Sequence, residues 1–371
     1  MVMGMGMGVG FSSPPPWTPA ALSPSLWLGA YEEARATRGA APNLLDGACQ
    51  DVTKWTAHSG AALSNQPGGV SGNCMRVAFG GSANPLAGQD IGIVGNRYRA
   101  TGSFRGDGAK PPEVLVYNSL ALGLASNAWQ SFAADQTMGP SGIFGVRCTT
   151  AAAGYAEFDS LTLTNLSLTS YTPKIGAAMT QATATAMPWA GALGMMFDGD
   201  LMPWGTAADA KCMHTGDGGS LGWQYRPTTL KAENRIVATA ATAVGNVGVT
   251  VSCTNANTIR VRVMNGSGAY DYDSGDVACP IAINNTYTMV LRVASGAGGV
   301  SLRVNGTEII SGALTAPSAA NATTGLMLGG DAVGAATNVT GYVGKALLVP
   351  RAITVAEAAQ FEAYCAAGAT L

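Results

Sequence analysis

Charge is what this sequence has least of: Asp, Glu, Lys and Arg make up 11% of its 371 residues, against about 25% in an ordinary soluble domain. No apolar run approaches the roughly 20 residues that cross a bilayer as a helix, so membrane insertion of that kind is excluded. The 20 Lys and Arg residues are scattered and the formal net charge is -2, which leaves no basic stripe for phosphates and excludes nucleic acid as a partner. Histidine occurs only as His58 and His214, far apart in the chain. That excludes a His-rich metal site and leaves little room for a Ser-His-Asp constellation. The seven cysteines (Cys49, Cys74, Cys148, Cys212, Cys253, Cys279, Cys365) are odd in number and contain no C-x-x-C pair, so neither a zinc site nor a disulfide framework is indicated. They read as reduced, mostly buried thiols of a protein that folds in a cytosol, with Cys49 to Cys74 as the one pairing left open. The start, "MVMGMGMGVGFSSPPP", lacks the positively charged segment and continuous apolar stretch of a secretory signal, and no export is expected.

What is present is glycine, alanine and short alternating segments. The length suits roughly two to three domains, and a surface of Gly, Ala, Ser, Thr and Asn suits a protein that packs against copies of itself. After the triple proline, "WTPAALSPSLWLGAYEEARATRGAAP" reads as a helix of one to three turns or a docking arm, ending at Gly39 and Pro42. From Asn43 to about Tyr171, "NCMRVAF", "NRYRATGSF", "PEVLVYN", "AWQSFAA", "GIFGVRC" and "YAEFDSLTLTNLSL" alternate with period two between Gly, Asn and Pro turns. This is the pattern of an antiparallel sandwich. Periodicity is lost across 173–189, which reads as a linker or extended crossing segment. It resumes in "RIVATAAT", "VGVTVSCTNANTIRVRVMN", "GVSLRVNGTEIISG", "GLMLGG" and "GYVGKALLVPR". Asn305-Gly306 predicts a type I′ hairpin turn. Thr354 with Glu357 predicts a capping box, and so a helix from Val355 to about Ala366. The expected fold is all-β: two antiparallel β-sandwich (jelly-roll) domains at 42–172 and 190–371, an extended N-terminal anchor at 1–41 and a short C-terminal helix.

The second block, with its "VNG" hairpin, a strand closing in Gly-Gly, "GYVG" and then Thr-x-x-Glu opening a helix, resembles the ending of a concanavalin A-like, laminin-G-type jelly roll. The first block, with "NLLDGACQDVTKW", "NRYRATGSFRGDG" and "AEFDSLTLTNLSL", resembles the galactose-binding-like jelly rolls of carbohydrate-binding modules. The order of a Pro-rich leader followed by two lectin-like sandwiches is similar to virion surface proteins of tailed bacteriophages, where such modules form tail fibres, head fibres or capsid decorations. The resemblance implies a non-enzymatic structural protein of the virion surface, assembled in the host cytoplasm. It implies a homo-oligomer, three copies favoured, held to other virion proteins through its N-terminal segment and attached by its lectin-like domains to host-surface polysaccharide. The alternatives are a capsid cement without glycan binding and a polysaccharide depolymerase.

Glycan sites combine aromatic faces with Asn, Asp or Arg. The candidates are Tyr117 with Asn118 in the first sandwich, and Trp204, Trp223, Tyr225, Tyr270 and Tyr272 in the second. Burial in an oligomer interface competes for the same residues. Trp55 and Trp129 read as core. "FDGDLMPW" places Asp198 and Asp200 two apart, and "AYDYDSGD" clusters Asp271, Asp273 and Asp276. Turns, Ca²⁺ ligation and a carboxylate pair for glycoside cleavage all remain open for these. By the resemblance, Asp46 and Asp159 lie near the structural Ca²⁺ of some carbohydrate-binding modules, so Asp46, Asp159, Asp198 and Asp200 are the metal candidates. No cofactor is expected beyond that ion. Arg105-Gly106-Asp107 reads as a turn, and His58 as a surface residue.

Overall fold

The structure, a computed structural model, describes residues 18–28, 32–116, 119–183, 187–191, 194–241, 243–331 and 337–366. Tyr117 and Asn118 lie outside the described residues.

Residues of the first block form two facing five-stranded antiparallel sheets. One runs Gln130–Thr137, Arg97–Gly106, Tyr155–Asn165, Asn73–Phe79, Ala61–Pro67; the other runs Thr56–His58, Leu86–Asp90, Ile143–Cys148, Pro112–Leu115, Ser119–Leu122. Period-two alternation sends Val77, Phe104, Val146 and Phe158 inward with Trp55. On the strands that carry Val77, Phe104 and Phe158, a charged residue adjoins each: Arg76, Arg105 and Glu157. Glu157, 2% exposed at its side chain, takes Arg76 and Arg105 from the strands on either side. The Arg105 guanidinium lies 4.6 Å over the ring of Trp129. Trp129 therefore belongs to the half-buried surface and not to the core, a correction to the sequence reading, while Trp55 is core as expected. Of the tripeptide expected to turn, Arg105 and Gly106 end the strand Arg97–Gly106, and the turn begins at Asp107, which accepts from the amides of Ala109 and Lys110.

The second sandwich pairs an eight-stranded sheet with a seven-stranded one. In the larger sheet, Gly194–Asp198, Thr340–Val349, Gly219–Thr229, Tyr287–Val293, Gly296–Val304 and Thr307–Leu314 follow one another. Asn305 (φ 47°) and Gly306 (φ 85°) turn the last hairpin with the two positive φ angles of the expected I′ geometry. The helix spans Val355–Ala366. The Thr354 amide donates to Glu357 Oε2 at 2.8 Å and the Glu357 amide to Thr354 Oγ1 at 3.2 Å, closing the capping box. The helix packs on the outer face of the larger sheet, where Phe361 occupies the space a Cβ on Gly222 would need. Its last carbonyls are satisfied by Lys345 Nζ and Gln224 Nε2, both donating to Cys365 O.

Described parts of the segments expected to be arm and linker pack into the body. Leu26–Trp27 pairs with Leu347 and Leu348 of strand Thr340–Val349, adding a short strand to the C-terminal sandwich. Leu22, Leu26 and Leu28 are buried there, and burial of apolar surface, not helix propensity, decides the conformation. Ala36–Arg38, Leu168–Tyr171 and Met179–Thr180 form a small three-stranded sheet of their own. Within 173–189 Met179 is buried, and Trp189 begins the edge strand Trp189–Gly191 of the large sheet. All seven cysteines are free, and six of them are buried. Burial raises the Cys74 thiol to about 11, consistent with inert core thiols.

Candidate functional site

The two sandwiches meet where strand Tyr155–Asn165 ends. Leu166 packs there against Trp189, Met196 and Tyr342 of the large sheet. Backbone bonds stitch the contact: the Ala190 amide to Leu166 O at 2.9 Å, the Leu168 amide to Pro188 O at 2.7 Å and the Leu166 amide to Arg97 O at 2.7 Å. Beside this patch opens a cavity of about 330 Å³, lined by Arg97, Thr137, Met187, Trp189, Asp198 and Asp200. The volume falls within the ~300–1,000 Å³ of small-ligand sites.

Each side chain is held by its element. Arg97 opens strand Arg97–Gly106, and Thr137 sits directly opposite it on the neighbouring strand. The Arg97 guanidinium lies 4.6 Å over the Trp189 ring, and its Nε is buried without a hydrogen-bond partner. Asp198 ends strand Gly194–Asp198, opposite Thr340, whose hydroxyl donates to its Oδ1 at 3.3 Å. Gly199 then takes a positive φ of 79°, which an L side chain rarely adopts. The chain doubles back so that Asp200 Oδ2 accepts the Asp198 amide at 2.9 Å. Asp200 is 6% exposed. Burial raises its carboxyl to about 7, the charge of Asp198 pushing the same way while the Asp198 amide, Arg97 and Lys231 oppose. The cavity thus offers a fixed guanidinium donor, a solvent-facing carboxylate acceptor, a hydroxyl, a carboxyl near its titration point, and the indole and thioether of Trp189 and Met187. Hydrogen-bonding groups of both kinds are set beside apolar side chains.

The other sequence candidates lie elsewhere. Trp204, Trp223 and Tyr225 are fully buried in the core of the second sandwich. This is a correction, with a simple cause: Leu221, Trp223 and Tyr225 are alternate residues of one strand and share its inner face. Tyr270 and Tyr272 lie on Tyr270–Asp273, an edge strand of the smaller sheet. The Tyr272 ring packs over Gly312, and the Arg262 guanidinium sits 5.8 Å from the Tyr270 ring.

The metal candidates are each engaged by donors of the chain itself. Both carboxylate oxygens of Asp46 accept backbone amides, from Gln50 and Asp51. Asp159 accepts the Ser71 amide and hydroxyl and the Ser160 hydroxyl. Asp198 and Asp200 are occupied as described above. Among the described residues no group of three or more His, Cys, Asp or Glu is placed to hold a metal.

Arg97, Thr137, Met187 and Trp189 were not singled out by the sequence. Their partners lie far away in sequence, Arg97 from Asp200 for example, and the local signal was a Trp immediately after Pro188 in a stretch read as linker.

Residues 208–359 match the model of the concanavalin A-like lectin/glucanases superfamily. That stretch covers most of the second sandwich and less than half of the chain. No curated protein matches the chain in sequence. Among solved structures, the chain is similar to the CBM40 of the Ruminococcus gnavus IT-sialidase, at 17% identity and TM-score 0.33, covering 38% of this chain and 80% of that one. It is also similar to domain 4 of AbnA, a GH43 extracellular arabinanase from Geobacillus stearothermophilus in complex with arabinotriose, at 14% identity and TM-score 0.36, covering 51% and 82%. The Trypanosoma rangeli sialidase aligns at 11% identity and TM-score 0.41, covering 81% of this chain and 52% of that one. No residue role is carried over from these partial likenesses.

Proposed function

We propose that this protein is a non-enzymatic, carbohydrate-binding structural protein of a tailed-phage virion surface, attaching the particle to host glycans through the cleft between its sandwiches. The observation that carries the binding reading is the convergence of Arg97, Trp189, Asp198 and Asp200 on one cavity at the junction of the sandwiches. The lectin-like match of the second sandwich supports the same ligand class. Binding is favoured over cleavage because both carboxylates arise from the single turn Asp198-Gly199-Asp200, with the Asp200 carboxylate tied to the Asp198 amide. Glycosidases set their two carboxyl groups on opposite sides of the scissile bond, roughly 5–10 Å apart. Weak single sites suit a homo-oligomer on a particle, where many copies supply avidity without new contacts.

The test is an array of bacterial capsular and O-antigen polysaccharides probed with the full chain, alongside Asp198→Asn and Trp189→Ala. We expect retention of at least one intact polysaccharide, weakened about tenfold or more by either change, as loss of about 1.4 kcal/mol or more would require. Release of shorter sugars from the array would make the protein a depolymerase. Capsid binding with no polysaccharide retained would make it a cement. Gold-labelled antibody against residues 190–371 on intact particles checks the virion location, and the absence of label on any particle would sink it.

A further inference from the structure

A second cavity, of about 460 Å³, lies on the outer face of the eight-stranded sheet beneath the last turn of the C-terminal helix, lined by Gln224, Thr286, Thr288, Asn305, Glu362 and Ala363 among others. Its floor is Gln224, which points away from the core because Trp223 and Tyr225 on either side of it point inward. Gln224 is 2% exposed. Its Nε2 donates to Cys365 O at 3.0 Å, but its Oε1 is buried without any partner. A buried amide oxygen left unpaired is destabilising, and a donor entering the cavity removes that cost.

The rest of the lining selects the donor. Glu362 is neutralised by Arg303, whose Nε and Nη2 reach its carboxylate at 3.1 and 3.3 Å. Asn305 Oδ1 is committed to the Thr288 amide at 2.8 Å. The cavity therefore holds no uncompensated charge to attract an ion, and no aromatic ring lines it to stack a flat ligand. It holds instead one acceptor in need of a donor. We propose that this cavity is a second ligand site, taking one neutral, hydroxyl-rich ring such as a single hexopyranose unit, with a ligand hydroxyl donating to Gln224 Oε1. The site stands on its own lining and does not depend on the junction cleft.

Titrating the ¹⁵N-labelled full chain with the methyl glycosides of glucose, galactose and mannose, and with glucuronate as the anionic control, tests it. At least one neutral glycoside should shift the Gln224 side-chain amide, with glucuronate weaker. Ala363→Trp, a change at an exposed helix position that closes the cavity from above, should weaken that shift about tenfold or more, whereas Trp189→Ala should leave it unchanged. Gln224→Leu should abolish binding; because Gln224 also caps the helix, Ala363→Trp is the deciding variant if that protein does not fold. No response of the Gln224 amide to any neutral glycoside overturns the proposal, as does a response that persists in Ala363→Trp or that is stronger for glucuronate.

Discussion

Asp200 has the most informative surroundings of any single residue here, because its burial and its partners push its proton in opposite directions. A carboxyl raised in the fold to about 7 binds its proton more tightly folded than unfolded. Between the ordinary Asp range near pH 4 and about pH 7 the native state therefore holds more protons, and stability falls as pH rises through that window. Below it the penalty is absent, and above it the penalty is complete. Asp200→Asn keeps the shape and an amide oxygen for the Asp198 amide but removes the charge. The variant should be more stable than the unaltered chain at pH 8, by an order of 2–4 kcal/mol on the scale of ~1.4 kcal/mol per pKa unit, and about equal to it at pH 4. Urea denaturation at the two pH values checks this, and equal stability at pH 8 would contradict the burial argument. Residue chemistry of this kind was out of reach of the sequence. Asp-Gly-Asp reads equally well as a turn, a metal loop or an acid pair, and only the positive φ of Gly199 and the depth of Asp200 decide among them.

At the scale of elements, what was legible was local. The I′ turn at Asn305-Gly306 and the helix Val355–Ala366 depend on residues within a few positions of one another, so the chemistry that sets them is printed consecutively. The capping box is worth about 1 kcal/mol. Thr354→Ala should lower global stability by that amount, since the helix covers Val290, Leu347 and Val349 on the outer face; thermal unfolding of the variant measures it, and an unshifted midpoint would mean the helix frays independently of the sandwich. The same locality explains the errors. "SLGWQY" alternates so that Leu221, Trp223 and Tyr225 share one face, a core signature that outweighs the general affinity of Trp and Tyr for ligands. Residues 18–28 carry too little periodicity to announce a strand; Pro19–Leu22 forms a single 3-10 turn, and Leu26–Trp27 becomes a strand only because the edge of Thr340–Val349 is open to receive it.

The whole molecule is tied together at three places, and the cleft depends on all of them. Leu166 fills the patch formed by Trp189, Met196 and Tyr342. The strand Ala36–Arg38 pairs with Leu168–Tyr171. Between these, Leu26–Trp27 enters the large sheet while the Trp27 amide bonds Ile175 O at 3.0 Å. Arg97 and Thr137 come from one sandwich and Asp198 and Asp200 from the other, so the geometry of the cavity exists only while the junction holds. Tandem sandwiches joined by a free linker would unfold separately, whereas these should unfold in one calorimetric transition. Leu166 is 2% exposed, and a carboxylate placed there would have to leave the interface to be solvated. Leu166→Asp should split the transition in two and weaken polysaccharide retention, although Leu166 does not line the cavity. Two well-separated transitions in the unaltered chain would instead show that the sandwiches move independently, and a binding site shared between them would then be untenable.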